Sequence, residues 1–294
     1  MDVLVLGGSG LVGSRFVELC SDRFDILAPS HAAVDVLDAP ALARCVSTAN
    51  PAAILNLAAW ADVDAAEGER GDTTGRVYQL NTALPERLAE LCADRGCHLV
   101  HVSTDYVFDG RRENRPYRED DAPAPLSWYA QTKLAGEQRL QAANASATIA
   151  RIEMPFRAQP HQKLDFARVC ASRLRAGQQV IGVTDQRITP VFLDDAVEAL
   201  AALLEQRPPG VVHLASADAT TPFAFARAIA GRLGGDPNLI IPEPFEAFSR
   251  GRIAPRPQHP WLDISLFQRC INVAILRGVD QQLDTWAEQV AGDR

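Results

Sequence analysis

The first half of the chain alternates between short apolar runs and helical patterns. The apolar runs are "DVLVLG" (Asp2–Gly7), "FDILA" (Phe24–Ala28), "AAILNLAA" (Ala52–Ala59), "CHLVHVST" (Cys97–Thr104) and "ATIARI" (Ala147–Ile152). Runs that stay apolar, rather than alternating with polar residues, predict strands covered on both faces. Helical patterns fill the intervals over Leu11–Cys20, Ala39–Ala49, Asn81–Arg95 and Trp128–Ala143. Strands alternating with helices imply a parallel sheet with helices on both sides.

After Arg151 the pattern changes. Prolines stand at 155 and 160, followed by a predicted helix (Leu164–Ala176), a short strand ("QVIGV") and a helix from Leu193. The stretch Gly234–Pro260 is rich in proline and arginine and shows few periodic signals. The expected fold class is α/β. Right-handed crossovers make it a Rossmann-type doubly wound parallel sheet, with a smaller mixed C-terminal lobe. Residues 1–153 are expected to form the dinucleotide-binding domain and 154–294 mainly the substrate lobe, with a possible return to the first domain around 178–212. No internal repeat or low-complexity tract interrupts this layout.

Composition bears more on function than on fold. The 294 residues are 47% hydrophobic and 22% charged, ordinary for a globular chain able to bury a substantial core. The net charge of −8 argues against a nucleic-acid binder that works by neutralising phosphates. No apolar run approaches the ~20 residues that span a bilayer. "MDVLVLGGSG" lacks the basic and long apolar segments of a secretory signal. Six dispersed cysteines (Cys20, Cys45, Cys92, Cys97, Cys170, Cys270) form no C-x-x-C pair and read as reduced residues of a cytoplasmic protein. The six histidines show no ligand spacing, so no metal is expected. The chain is expected to act as a monomer or homodimer.

"LVLGGSGLVG" places Gly7, Gly10 and Gly13 directly after the first strand, at the start of a helix. Glycine permits a sharp turn and a close backbone approach to a pyrophosphate. The helix beyond presents unpaired N–H groups to that anion. Gly7, Ser9, Gly10, Leu11, Val12 and Gly13 are therefore expected to cradle a dinucleotide. An acidic residue ~20 positions further on would favour NAD through a ribose hydroxyl. Here the second strand ends in "ILAPSHAA", with no carboxylate to repel a 2′-phosphate. Ser30 and His31 can both donate to one, so NADP(H) is expected, with NAD(H) possible. Asp35 and Val36 follow where the adenine edge would lie.

"SWYAQTKLAGE" holds Tyr129 and Lys133 four residues apart, on one face of a predicted helix. Taken alone, the pair is equally an ordinary helix surface. "HVSTDYVFDG" ends the fourth strand, and ligands in doubly wound folds bind beyond the carboxyl ends of strands. Ser103, Thr104 and Asp105 should emerge there, as partners for a substrate carbonyl or as the cap of a turn.

The glycine loop, "NLAAWADVDAAE", "STDYVFDG", "WYAQTKLAGE", "DQRITP" and "APRPQHPWLD" occur in one order from Met1 to about Phe267. In that order they resemble the dTDP-4-dehydrorhamnose reductases, extended short-chain dehydrogenase/reductases that act on nucleotide sugars. The resemblance implies that Tyr129 is the proton donor, Lys133 its partner and Thr104 the hydroxyl that completes the triad. It also implies that Asn56, Leu57, Ala58, Ala59 and Ser103 line the cofactor groove. Asn81 would sit beneath the catalytic helix. Asp105, Val107, Phe108, Met154 and Arg256 are expected at the substrate, a nucleotide-linked 4-keto-6-deoxy sugar.

Two segments depart from the family pattern. After the fifth strand the family reads roughly R-T-[SA]-W-V-[YF]-G, whereas this chain reads "RIEMPFRAQ", with Glu153 and Met154 in place of a small residue and a tryptophan. The tail reads "RPQHPWLD", with Gln258 and His259, where the family usually shows Arg-Pro-x-Asn-Ser. Two other functions share the pattern. One is an epimerase or dehydratase, which Tyr106 after Asp105 disfavours. The other is a non-catalytic regulatory subunit resembling the β subunit of methionine adenosyltransferase.

Overall fold

The computed structural model describes residues 1–143, 145–271 and 274–292. The main sheet contains β1 (Asp2–Leu6), β2 (Asp25–Leu27), β3 (Ala53–Asn56), β4 (His98–Thr104), β5 (Ala147–Ile152) and β7 (Gly210–Leu214), all parallel. Their order is β2-β1-β3-β4-β5-β7. A separate two-stranded parallel sheet pairs β6 (Val180–Val183) with β8 (Ile240–Glu243). β1 lies between β2 and β3, so the chain reverses its direction of travel there. That switch point opens a crevice beyond the carboxyl ends of β1 and β3.

The helices are α1 (Leu11–Cys20), α2 (Ala39–Ala49), α3 (Val63–Ala66), α4 (Arg76–Tyr78), α5 (Leu84–Arg95), α6 (Trp128–Ala142), α7 (Phe166–Arg175), α8 (Leu193–Gln206), α9 (Pro222–Leu233), α10 (Phe245–Ser249), α11 (Ser265–Ile271) and α12 (Val279–Gly292). Side chains cap the first turns of α2 (Asp38), α6 (Ser127), α7 (Asp165) and α9 (Thr221). Each such cap is worth about 1 kcal/mol. α1 instead starts at Gly10 with no side-chain cap. Its first N–H groups are left for another acceptor.

Phe16 of α1 and Leu200 and Leu203 of α8 pack on one face of the sheet. Leu42 and Val46 of α2 and Leu84 and Leu88 of α5 pack on the other. A third apolar cluster, around Trp286, Phe225, Phe156 and Phe192, forms the core of the second lobe. α8 packs in one apolar cluster with α1, and β7 joins the main sheet beside β5. β6, which lies within the 178–212 stretch, stays with β8 instead. The helix expected from Asn81 begins earlier, at Arg76, and contains one wide π turn over Gln79–Ala83. Such turns mark places where a helix accommodates a functional neighbour. All six cysteines are free thiols.

Candidate active site

The glycine loop is built on close contact. Gly7 has φ +81°, and a Cβ added to it would lie 2.8 Å from the Ala58 nitrogen. A Cβ on Gly13 would lie 2.2 Å from the Gly7 oxygen. A side chain at Gly7 would push the loop off the segment after β3, and one at Gly13 would push α1 off the loop. Gly10, Leu11, Val12, Leu57 and Ala59 form one wall of a groove of about 490 Å³. Ser9, Ser30, His31 and Asp35 are exposed and Val36 is half-buried, and none of the five lines this groove. Asp35 accepts the Leu37 N–H at 3.0 Å, closing the turn after Val36. A flexible-glycine cradle, an uncapped helix start and a second strand that ends without a carboxylate fit a dinucleotide that carries a 2′-phosphate.

The opposite wall is α6. Ser127 Oγ accepts the Ala130 N–H at 3.3 Å, and Glu67 accepts the Trp128 N–H at 2.6 Å. α6 then presses on the π turn so closely that a Cβ on Gly136 would sit 2.1 Å from the Asn81 oxygen. The Asn81 side chain accepts the Trp60 N–H (2.9 Å) and donates to Trp60 O (3.1 Å) and Thr132 Oγ1 (3.2 Å). One buried amide thus ties the loop after β3 to the underside of α6.

Thr104, Tyr129 and Lys133 line this same groove, with Ser103 and Asp105. Burial pushes the Tyr129 phenol up to about 12; hydrogen bonding to Thr104 opposes the shift and the Asp105 charge adds to it. The Tyr106 ring meets Tyr129 edge-on at 6.1 Å. Lys133 is 2% exposed, and its Nζ donates to Val102 O at 2.7 Å. Burial brings its ammonium down to about 8, with Glu137 pulling the other way. Thr104 Oγ1 donates to Asp105 Oδ1 at 2.8 Å and accepts the Tyr106 N–H at 3.2 Å. Burial raises the Asp105 carboxyl to about 7. Ser103 Oγ donates to Glu137, which is also paired with Arg151 at 2.6 Å.

A second cavity, of about 220 Å³, opens beside the first and is lined by Asp105, Tyr106, Glu153, Met154 and Arg256 among others. Met154 holds φ +40°, a left-handed conformation rare outside glycine. Glu153 is 1% exposed. Its Oε2 accepts Thr189 N–H at 2.9 Å and the Thr189 hydroxyl, while its Oε1 has no partner among the described residues. Burial first, and then Asp105, push its carboxyl well above the usual range. Arg256 reaches the cavity while bound to Asp64 (2.9 Å) and Ala254 O (3.0 Å).

Val107 and Phe108 were expected at the substrate and are not there. Both are fully buried in the main core, and Phe108 stacks on Tyr117 at 4.2 Å. The 3₁₀ turn Asp105–Val107 redirects the chain inward after Asp105. Sequence reasoning used Tyr106 only to argue against a dehydratase and passed over Lys163; both line the groove. Lys163 had a signal: it and Lys133 are the only two lysines in the chain.

The chain matches the family described as RmlD substrate binding domain over residues 1–290. A dTDP-4-dehydrorhamnose reductase of Mycobacterium tuberculosis is 35% identical over 84% of this chain and 81% of its own length. A dTDP-4-keto-6-deoxy-D-glucose reductase of Streptomyces niveus is 31% identical over 86% of each. The crystal structure of dTDP-4-dehydrorhamnose reductase from Bacillus anthracis in complex with NADP has a TM-score of 0.88 and 24% identity, and covers 97% of this chain and 98% of that one. That likeness speaks to the fold. Matched along nearly its whole length and carrying the glycine loop, Thr104, Tyr129 and Lys133 on one groove, the chain belongs to the RmlD family, among the dTDP-4-dehydrorhamnose reductases.

Proposed function

We propose that the protein is an NADP(H)-dependent reductase of a nucleotide-linked 4-keto-6-deoxy sugar. The observation that carries the reading is the convergence of Thr104, Tyr129 and Lys133 on a groove whose far wall is the glycine loop. When bound, the nicotinamide would supply the hydride to C4. The protein supplies the proton and the orientation. Tyr129, held protonated by burial, would donate its phenolic proton to the developing C4 alkoxide. Thr104 Oγ would hydrogen-bond the same oxygen once its proton turns away from Asp105. Lys133 would steady the phenolate left on Tyr129. Asn81 holds the two walls of the groove in register.

The second cavity is the natural seat of the sugar, since it shares Asp105, Tyr106 and Met154 with the groove. Arg256 there would reach the nucleotide's phosphates, already oriented by Asp64. Glu153 and Met154 change the wall that meets the sugar, so specificity should differ from that of relatives carrying tryptophan. The test is to mix the protein with NADPH and a panel of dTDP-, CDP- and GDP-linked 4-keto sugars. NADPH oxidation with one of them is expected. Silence across the panel would favour a regulatory role instead.

A further inference from the structure

Behind Lys133 runs a buried chain of hydrogen bonds that no catalytic role yet explains. β3 and β4 pair in a register that sets Asn56 opposite His101. Both are fully buried. Ala58 N–H donates to Asn56 Oδ1 at 3.1 Å. Asn56 Nδ2 lies 3.0 Å from His101 Nδ1, and His101 Nε2 lies 3.3 Å from Lys133 Nζ.

The direction of this chain is fixed at one end. A backbone N–H can only donate, so Asn56 Oδ1 is the acceptor and its amide nitrogen must face His101. That nitrogen can only donate, so His101 Nδ1 is bare and the proton of the neutral ring sits on Nε2. The Nε2–H then points at Lys133, where only the lone pair of an uncharged amine can receive it. We infer that Asn56 and His101 set the protonation state of Lys133, aiming a ring N–H at its amine and thereby favouring the uncharged form. The inference rests on the reading above, in which Lys133 works as an ammonium beside the Tyr129 phenolate: Asn56 and His101 would lower the pH at which that charge is given up. Asn56 and His101 are positioning residues: they touch neither of the proposed reactants and act through Lys133.

The other charged groups around Lys133 leave room for this control. Glu137, one turn along α6, is neutralised by Arg151 of β5. Asp105 is hydrogen-bonded to Thr104, and Tyr129 completes the surroundings on the groove side. Burial above all pushes His101 well below its ordinary range, in keeping with a ring whose Nδ1 accepts the Asn56 amide.

The presence of only two lysines makes the test direct. In protein labelled with ¹³C-lysine, Lys133 and Lys163 give the only two side-chain signals. ¹⁵N-histidine spectra of the wild type should show His101 with a protonated Nε2 and a bare Nδ1; the opposite tautomer overturns the inference. Replacing the ring N–H by His101→Phe should raise the Lys133 titration midpoint by about one pH unit. A fall, or no movement, also overturns it. If that variant does not fold, Asn56→Asp reverses the chain's polarity and should move Lys133 upward likewise. These titrations need no substrate. If the sugar panel fails while Lys133 behaves as described, the reductase reading falls and the inference stands.

Discussion

Tyr129 and Thr104 do their work through a few hydrogen atoms, and single substitutions should expose that. Tyr129→Phe keeps the ring and its edge contact with Tyr106 but removes the proton donor. Turnover of NADPH with the cognate sugar should fall by roughly 10² to 10⁴, with unchanged cofactor binding; near-normal turnover would refute the assignment. This pair was legible in the sequence because Tyr129 and Lys133 share one helix, so their meeting needed only local geometry. The partnership of Lys133 with His101 and Asn56 was not. It depends on strand register across β3 and β4, which join segments 45 residues apart. Val107 and Phe108 were misplaced for a related reason: a 3₁₀ turn overrode the expectation that everything after the strand end faces the ligand.

Among elements, α6 carries the site and depends on how closely it can approach its neighbour. Gly136→Ala would drive a methyl into the Asn81 carbonyl, 2.1 Å from the ideal Cβ. The substitution should cost about 1–3 kcal/mol in chemical denaturation and weaken activity with it. Gly231→Ala in α9 meets nothing within 4 Å and should be neutral or stabilising by up to about 1 kcal/mol. Equal effects from the two would show that close packing of α6 is not what matters. The start of α6 is set by Ser127, a strong N-cap residue next to it in the chain. Glu67, which doubles that cap from 61 residues away, was hidden. The π turn was hidden as well; the Asn81 amide within it bonds Trp60 and Thr132, contacts that no local pattern announces.

For the molecule as a whole, the cofactor should report its own identity. NADPH at about 100 times its dissociation constant would add about 2.7 kcal/mol of stability. Equal concentrations of NADPH and NADH should therefore raise the melting temperature unequally, with NADPH the larger; the reverse order would overturn the reading of Ser30 and His31. The doubly wound half was visible in the sequence because buried parallel strands announce themselves as unbroken apolar runs. The second lobe was blurred because its chain leaves and re-enters, and short strands such as β6 look the same in either place. The re-entry has a further consequence. β7 is the outer neighbour of β5, so a fragment ending near residue 153 would expose β5 along its full length. Ile149 and Ile152 would then border a bare row of N–H and C=O groups, the kind of strand edge on which other chains aggregate. Covering that edge takes β7, a strand that lies some 60 residues further along the chain.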